Sequence, residues 1–141
     1  MILKGDIGTL EIEVLTNKIF GTNNFWEENW LYSTIKGNFP GFTANFDCNL
    51  RTDDFERFAK ELRAMVSMKS DVAKFTTMEE GLTLFLERKH IGMIKVTGKM
   101  KATEFPQCSL EFKYQVDNPT LERFIYELED VIKTYPIIGT P

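Results

Sequence analysis

The chain has 141 residues, the length of one domain, and its 43% hydrophobic and 27% charged residues are ordinary for a globular protein. Its formal charge is −4, with 8 basic and 10 acidic residues in 1–70 and 9 basic and 11 acidic residues in 71–141. This even balance argues against a dedicated nucleic-acid binder, which carries a strong basic excess. We therefore expect one domain, 1–141, without a nucleic-acid partner.

The sequence has no pattern typical of a secreted or membrane protein. No basic segment followed by an apolar run opens the chain, and no apolar stretch approaches the ~20 residues that span a bilayer. Its two cysteines, Cys48 and Cys108, lack the CxxC or Cys–His spacing of a metal site. We expect a cytoplasmic protein with two reduced, buried cysteines, no metal, no cofactor and no membrane partner.

The first half of the chain predicts strands followed by a helix. Alternating apolar and polar residues mark three strands, at 9–15, 30–36 and 42–50. The nine glycines are interpreted as turn residues, and Gly37 is expected to end the second strand. Thr52 is the predicted N-cap of a helix whose apolar stripe runs from Phe55 to Val66.

The second half predicts the same order of elements. Strands are expected at 82–87, 91–98 and 108–116, and residues 72–76 are a candidate further strand. His90 lies in the short link between the first two, which predicts a hairpin. Asn118 holds the predicted N-cap position of the last helix, and Pro119 follows at its first helical position.

The two halves match at a displacement of 66 residues. Phe-Glu-Arg-Phe at 55–58 returns as Leu-Glu-Arg-Phe at 121–124, and the match extends back through the preceding strand. The pseudo-repeat, roughly 1–70 and 71–141, indicates an α+β fold of two β-β-β-α units. We expect one mainly antiparallel sheet of six or seven strands with two helices packed on one side. A strongly curved sheet approaching a barrel is the alternative.

The sequence offers little for catalysis. His90 is the only histidine, and neither GxxxxGK[ST] nor GxGxxG is present. Glu11 and Glu13 share the outer face of a strand, where solvated carboxylates are the plain interpretation. The lysines of 88–101 alternate with apolar residues, as they would on an ordinary strand face. We predict no catalytic residues.

Residues 20–32 have the most unusual composition of the chain. The segment holds both tryptophans and two adjacent acids. Aromatic side chains supply contact area at interfaces, and carboxylates steer a protein towards basic surfaces. Trp26, Glu27 and Glu28 are therefore the predicted partner-binding residues. Trp26 and Trp30 could also hold a long loop against the sheet, and the two interpretations are compatible.

The chain resembles the WapI-type immunity proteins. The resemblance lies in Trp-Glu-Glu-Asn-Trp-Leu at 26–31, Phe-Thr-Ala-Asn-Phe at 42–46, Phe-Glu-Arg-Phe-Ala-Lys-Glu-Leu at 55–62 and Leu-Glu-Phe-Lys-Tyr at 110–114 with its closing helix. It implies a small cytoplasmic bacterial protein that binds and blocks the toxic C-terminal domain of a contact-dependent toxin. It supplies no catalytic residues and does not say which surface meets the toxin.

Three functional hypotheses follow. The first is an immunity protein that occludes its cognate toxin domain without catalysis. The second is a small-molecule-binding or enzymatic domain with a pocket under the 16–29 loop, where Glu11, Glu13, Glu27 and Glu28 would be the candidate groups. The third is a homodimer formed through an exposed strand edge.

Overall fold

The computed structural model describes residues 1–17, 19–105 and 107–141. Its elements, in chain order, are β1 (Ile2–Lys4), β2 (Thr9–Asn17), α1 (Phe25–Glu28), β3 (Trp30–Phe39), β4 (Phe42–Arg51), α2 (Thr52–Val66), β5 (Val72–Phe75), β6 (Leu82–His90), β7 (Met93–Lys101), β8 (Ser109–Asp117) and α3 (Asn118–Thr134). The strands form two sheets, in the orders β1-β2-β3-β4 and β5-β6-β7-β8. All neighbouring strands are antiparallel.

The α+β class is confirmed, but the single six- or seven-stranded sheet is wrong. Each half of the chain builds a four-stranded sheet of its own, with β1 and β5 as the additional strands. The candidate strand at 72–76 is confirmed as β5, whereas the three residues of β1 are too few to show alternation. A third helix, α1, was expected to be loop. The helix α2 connects the last strand of one sheet to the first strand of the other.

Two glycines inside strands allow the sheets to approach each other. A Cβ on Gly37 of β3 would lie 2.6 Å from Met100 Cε on β7 of the other sheet. A Cβ on Gly98 of β7 would overlap the ring of Phe112, which itself stacks on Phe39 of the first sheet with centroids 4.5 Å apart. The interpretation of these glycines as turn residues is wrong, because both strands continue past them. A bare backbone at these points leaves room for aromatic rings.

Both long helices bury their predicted apolar stripes in one common core. The buried apolar residues are Phe55, Phe58, Ala59, Leu62 and Met65 on α2, and Leu121, Phe124, Ile125 and Leu128 on α3. Phe75 of β5 packs against the rings of Phe55 and Phe58, at centroid distances of 5.5 and 5.1 Å. Phe58 in turn meets Phe124 edge to face. These four phenylalanine rings therefore join both helices to the second sheet.

The helices begin one residue away from the predicted caps. Asp117, rather than Asn118, is the N-cap of α3, because its carboxylate accepts the hydrogen bond from Thr120 N at 2.8 Å. Hydrogen bonding from Thr120 also lowers the pKa of Asp117. In α2, Thr52 is the first helical residue rather than the N-cap, and its buried hydroxyl has no partner among the described residues. Arg51 takes the N-cap position without a capping hydrogen bond from its side chain, which donates to Asp53 and to carbonyl oxygens of α1.

The predicted hairpin of the second half is confirmed. The pairing of β6 with β7 runs from Leu82 opposite Met100 to His90 opposite Met93, and the residues Ile91 and Gly92 join the two strands. Gly92 has a φ of +85°, a conformation that glycine adopts without steric cost. His90 is exposed at the end of β6, beside this turn.

The two cysteines are free but lie in different environments. Cys48 is buried on the inner side of β4, whereas Cys108 is exposed. The expected burial of Cys108 is wrong because this residue precedes β8 rather than beginning it. Burial raises the pKa of the Cys48 thiol to about 12, and the nearby charge of Glu79 acts in the same direction.

This difference predicts selective thiol chemistry. Iodoacetamide at pH 8 should modify Cys108 in the folded protein and leave Cys48 unmodified, because a thiol reacts as the exposed thiolate. Mass spectrometry of the digested protein measures both sites, and Cys108→Ser should abolish the native-state modification. Equal labelling of both native thiols would contradict the burial of Cys48.

The raised pKa of Cys48 also affects stability at high pH. Above about pH 9 the thiol ionises in the unfolded chain while it stays protonated in the folded protein, so the contribution of Cys48 to the free energy of unfolding falls as pH rises.

Candidate functional site

The aromatic and acidic segment forms the short helix α1 on the outer face of the first sheet. Its N-cap is Asn24, whose side-chain oxygen accepts hydrogen bonds from Trp26 N at 2.9 Å and Glu27 N at 3.3 Å. The helix lies over the outward side chains of Trp30 and Arg51, which are paired across β3 and β4. Their neighbours along the strands point into the core. The segment is therefore a fixed element of the surface.

A buried guanidinium lies beneath α1. Arg51 is 1% exposed, and its Nη1 and Nη2 donate to the carbonyl oxygens of Trp26 at 2.9 Å and Phe25 at 3.2 Å. Its Nε donates to Asp53 Oδ1 at 2.9 Å, in the first turn of α2. The rings of Phe25, Trp26 and Trp30 surround the guanidinium carbon at 5.1–5.4 Å. These contacts satisfy a charge that would otherwise be costly to bury.

The residue that ends α1 fastens it to the C-terminal segment. Asn29 is 1% exposed, and its Nδ2 donates to Phe25 O at 2.8 Å and to Ile138 O at 3.0 Å. Its Oδ1 accepts from Ile138 N at 2.9 Å. Gly139, at φ +75°, lies close to the backbone of Phe25. The helix is thus held from below by Arg51 and from one side by the end of the chain.

The structure brings the three predicted partner-binding residues into this one helix but exposes only two of them. Trp26 is 53% exposed, although one side of its ring covers Arg51. Glu27 is also exposed. Glu28 is 4% exposed, and its Oε1 accepts the hydrogen bond from Asn23 N at 2.6 Å. Glu28 therefore supports the loop that precedes the helix, while Trp26 and Glu27 face solvent.

Sequence reasoning missed Arg51 beneath this helix and two exposed side chains of the first sheet. Arg51 gave no signal, because an arginine at the end of an alternating strand is ordinarily solvated. Tyr32, about half exposed on β3, belongs to the aromatic run but was assigned to a strand only. Leu15 is exposed because the pairing of β2 with β3 shifts between Val14 and Thr16. Leu15 and Tyr32 line one open cavity of the first sheet together with Asp47.

The groups of the alternative pocket are spread over different elements. The space beneath α1 is occupied by the side chains of Arg51 and Trp30. Glu11 and Glu13 lie on β2, where they pair across the sheet with Lys36 and Thr34. Within 1–17, 19–105 and 107–141, no three His, Cys, Asp or Glu side chains come together as a metal site. None of the helices in these ranges is long and apolar enough to cross a membrane.

Arg51→Lys should destabilise the protein while keeping the charge. A lysine ammonium cannot donate in the planar fork that reaches both carbonyls and Asp53, so buried acceptors lose their partners. We expect the free energy of unfolding to fall by about 2 kcal/mol. Arg63→Lys, at an exposed ion pair with Glu129, should change it by less than about 0.5 kcal/mol. Urea unfolding measures both, and equal effects would show that the Arg51 contacts are not stabilising.

Comparison with known proteins finds a family whose sequence profile covers nearly the whole chain. The sequence profile of the immunity protein WapI-like family matches residues 1–136. No curated protein matches the chain. Among solved structures, the plant transcriptional regulator PBF-2 is similar over 96% of this chain and 80% of its own, at 9% identity and a TM-score of 0.48, which is too low to support an inference. The family match covers far more than half of the sequence, and the chain therefore belongs to the immunity protein WapI-like family.

Proposed function

We propose that this protein is an immunity protein that binds the C-terminal domain of a cognate bacterial toxin and neutralises it by occlusion, without catalysis. The observation that carries this proposal is the family match over residues 1–136. Membership of an immunity family implies a protein toxin as partner in general. We further propose that the partner is the C-terminal domain of that toxin, that the toxin is bacterial and delivered by cell contact, and that binding takes place in the cytoplasm. Nucleic acid and membrane are not among the proposed partners.

The surface proposed for the toxin is the exposed side of α1, with Trp26 and Glu27 in contact. A half-exposed tryptophan beside polar residues resembles the residues that contribute most energy at protein interfaces. The backbone of α1 is already fixed by Asn24, Arg51 and Asn29, so little entropy is lost when a partner binds. Glu27 adds a carboxylate that favours a basic partner. Glu28 acts indirectly, through its hydrogen bond to the loop before the helix.

The geometry favours this function over a ligand pocket under the same loop. A small-molecule site needs a cavity with several converging polar groups. Beneath α1 the polar donors of Arg51 are already used by Asp53 and the two helix carbonyls. Glu28 is likewise engaged with Asn23. The exposed residues of α1 project outwards, as an interaction surface requires.

Co-expression tests the proposed function directly. The toxin domain encoded beside this chain's gene should stop cell growth when expressed alone and should be tolerated when this protein is present. The purified pair should elute from a sizing column as one complex. Unchanged killing, together with separate elution of the two proteins, would contradict the proposal. A larger species formed by this protein alone would instead indicate the homodimer.

Substitutions on α1 test the proposed surface. Trp26→Ala should weaken toxin binding by about 2 kcal/mol, roughly 30-fold, because a large anchor side chain is lost. Glu27→Lys should mainly slow association and reduce its dependence on salt. Tyr126→Ala removes an even more exposed aromatic side chain on α3 and serves as the matched control. Surface plasmon resonance measures all three, and an affinity loss equal to that of the control would place the interface elsewhere.

A further inference from the structure

A row of acidic side chains crosses the outer face of the first sheet next to α1. Glu13 on β2 lies opposite Thr34 on β3, and Thr34 lies opposite Asp47 on β4. The Thr34 hydroxyl donates to Asp47 Oδ1 at 3.3 Å. Because neighbouring strands are about 4.8 Å apart, the two carboxylate-bearing positions are about 10 Å from each other. Both side chains are exposed.

No basic group within the described residues forms an ion pair with this row, and the nearest lysine on the same face, Lys36, lies diagonally from both acids. Neither Glu13 nor Asp47 belongs to an ion pair among residues 1–17, 19–105 and 107–141. The next acid along β2, Glu11, differs because Lys36 lies directly opposite it. The carboxylates of this face that have no ion-pair partner among the described residues therefore lie towards the end of the sheet that carries α1.

The corresponding face of the second sheet is richer in lysine. The displacement of 66 residues that relates the two halves places Lys113 at the position of Asp47. The outer side of the second sheet carries Lys74, Lys95, Lys99, Lys101 and Lys113 together with the acids Glu87, Glu111 and Asp117. Both faces point to solvent and neither is needed for the core. The repeated scaffold does not require this difference in charge.

The acidic row is close enough to α1 to share one partner with it. Trp30, which lies under α1, and Thr34 are separated by four residues along β3, a distance of roughly 13 Å. A standard interface covers about 800 Å² on each partner, which corresponds to a patch roughly 30 Å across. The exposed side chain of Tyr32 lies between them on β3. An interface of standard size is therefore large enough to include Trp26, Glu13 and Asp47 together.

We propose that the Glu13–Asp47 row is a second contact of the toxin-binding surface and receives lysine or arginine side chains of a basic toxin domain. This inference rests on the proposed function. It specifies a feature of the partner, namely two basic groups about 10 Å apart beside the site that covers Trp26. Charge complementarity of this kind acts chiefly on the rate of association and on the choice of partner.

Charge reversal with a matched control tests the inference. The double variant Glu13→Lys/Asp47→Lys should associate with the toxin domain encoded beside this chain's gene about tenfold more slowly at low salt, with a flatter salt dependence. The control Glu111→Lys/Glu122→Lys makes the same change in net charge at exposed positions on β8 and α3. It should slow association by less than about threefold. Stopped-flow fluorescence measures the rates, and circular dichroism checks folding.

The outcomes separate this inference from the proposed function. Equal slowing by both double variants, or no slowing by either, would overturn the second contact while Trp26→Ala still reports on the first. If the wild-type protein does not bind the toxin domain, the proposed function fails and this inference with it. Sedimentation of the wild type as a dimer that Asp47→Lys dissociates would assign the face to a second copy. Should the reversal variant unfold, Glu13→Gln/Asp47→Asn must still slow association about threefold.

Discussion

The candidate surface depends on how one buried positive charge is satisfied. A guanidinium cannot lose its proton at ordinary pH, so Arg51 must keep hydrogen-bond acceptors around it once the sheet and helices exclude water. Two of its three acceptor groups are carbonyls of α1 and the third is Asp53 at the start of α2. If α1 moved away, the guanidinium would lose both carbonyl acceptors and the rings of Phe25 and Trp26 that cover it. The position of Trp26 on the surface is therefore set by the electrostatics of a residue beneath it.

The local structure of the chain was largely predictable, whereas the pairing of its strands was not. Alternation and helical spacing identified seven of the strands and both long helices, because each pattern reports which side of an element is buried. Alternation does not show which other strand an edge strand pairs with. Gly37 and Gly98 illustrate the limit, since a glycine that makes room for Phe112 or Met100 looks in sequence like a glycine that ends a strand. The sequence therefore predicts one sheet where the structure has two.

Composition located the candidate surface but did not show which of its residues are exposed and which are buried. The segment 20–32 was notable for its aromatic and acidic residues, and Trp26 and Glu27 are indeed exposed there. Separating Glu28 from Glu27 needed the knowledge that the segment is helical. Residues three apart lie on one side of a helix, so Glu28 turns inwards with Phe25. Arg51 could not be found in sequence, because its contacts join segments that are about 25 residues apart.

The internal repeat constrains the buried half of each unit and leaves the solvent-facing half free. Phe46 and Phe112, or Leu62 and Leu128, are matched because both copies must fill a core of similar shape. Asp47 and Lys113 occupy equivalent outward positions, where a charge of either sign costs little. The core places no demand on the sign there, so neighbouring charges or a binding partner decide it. The first unit gained α1 above an acidic face and the second gained lysines around a short hairpin, which makes the first unit the one suited to a basic protein.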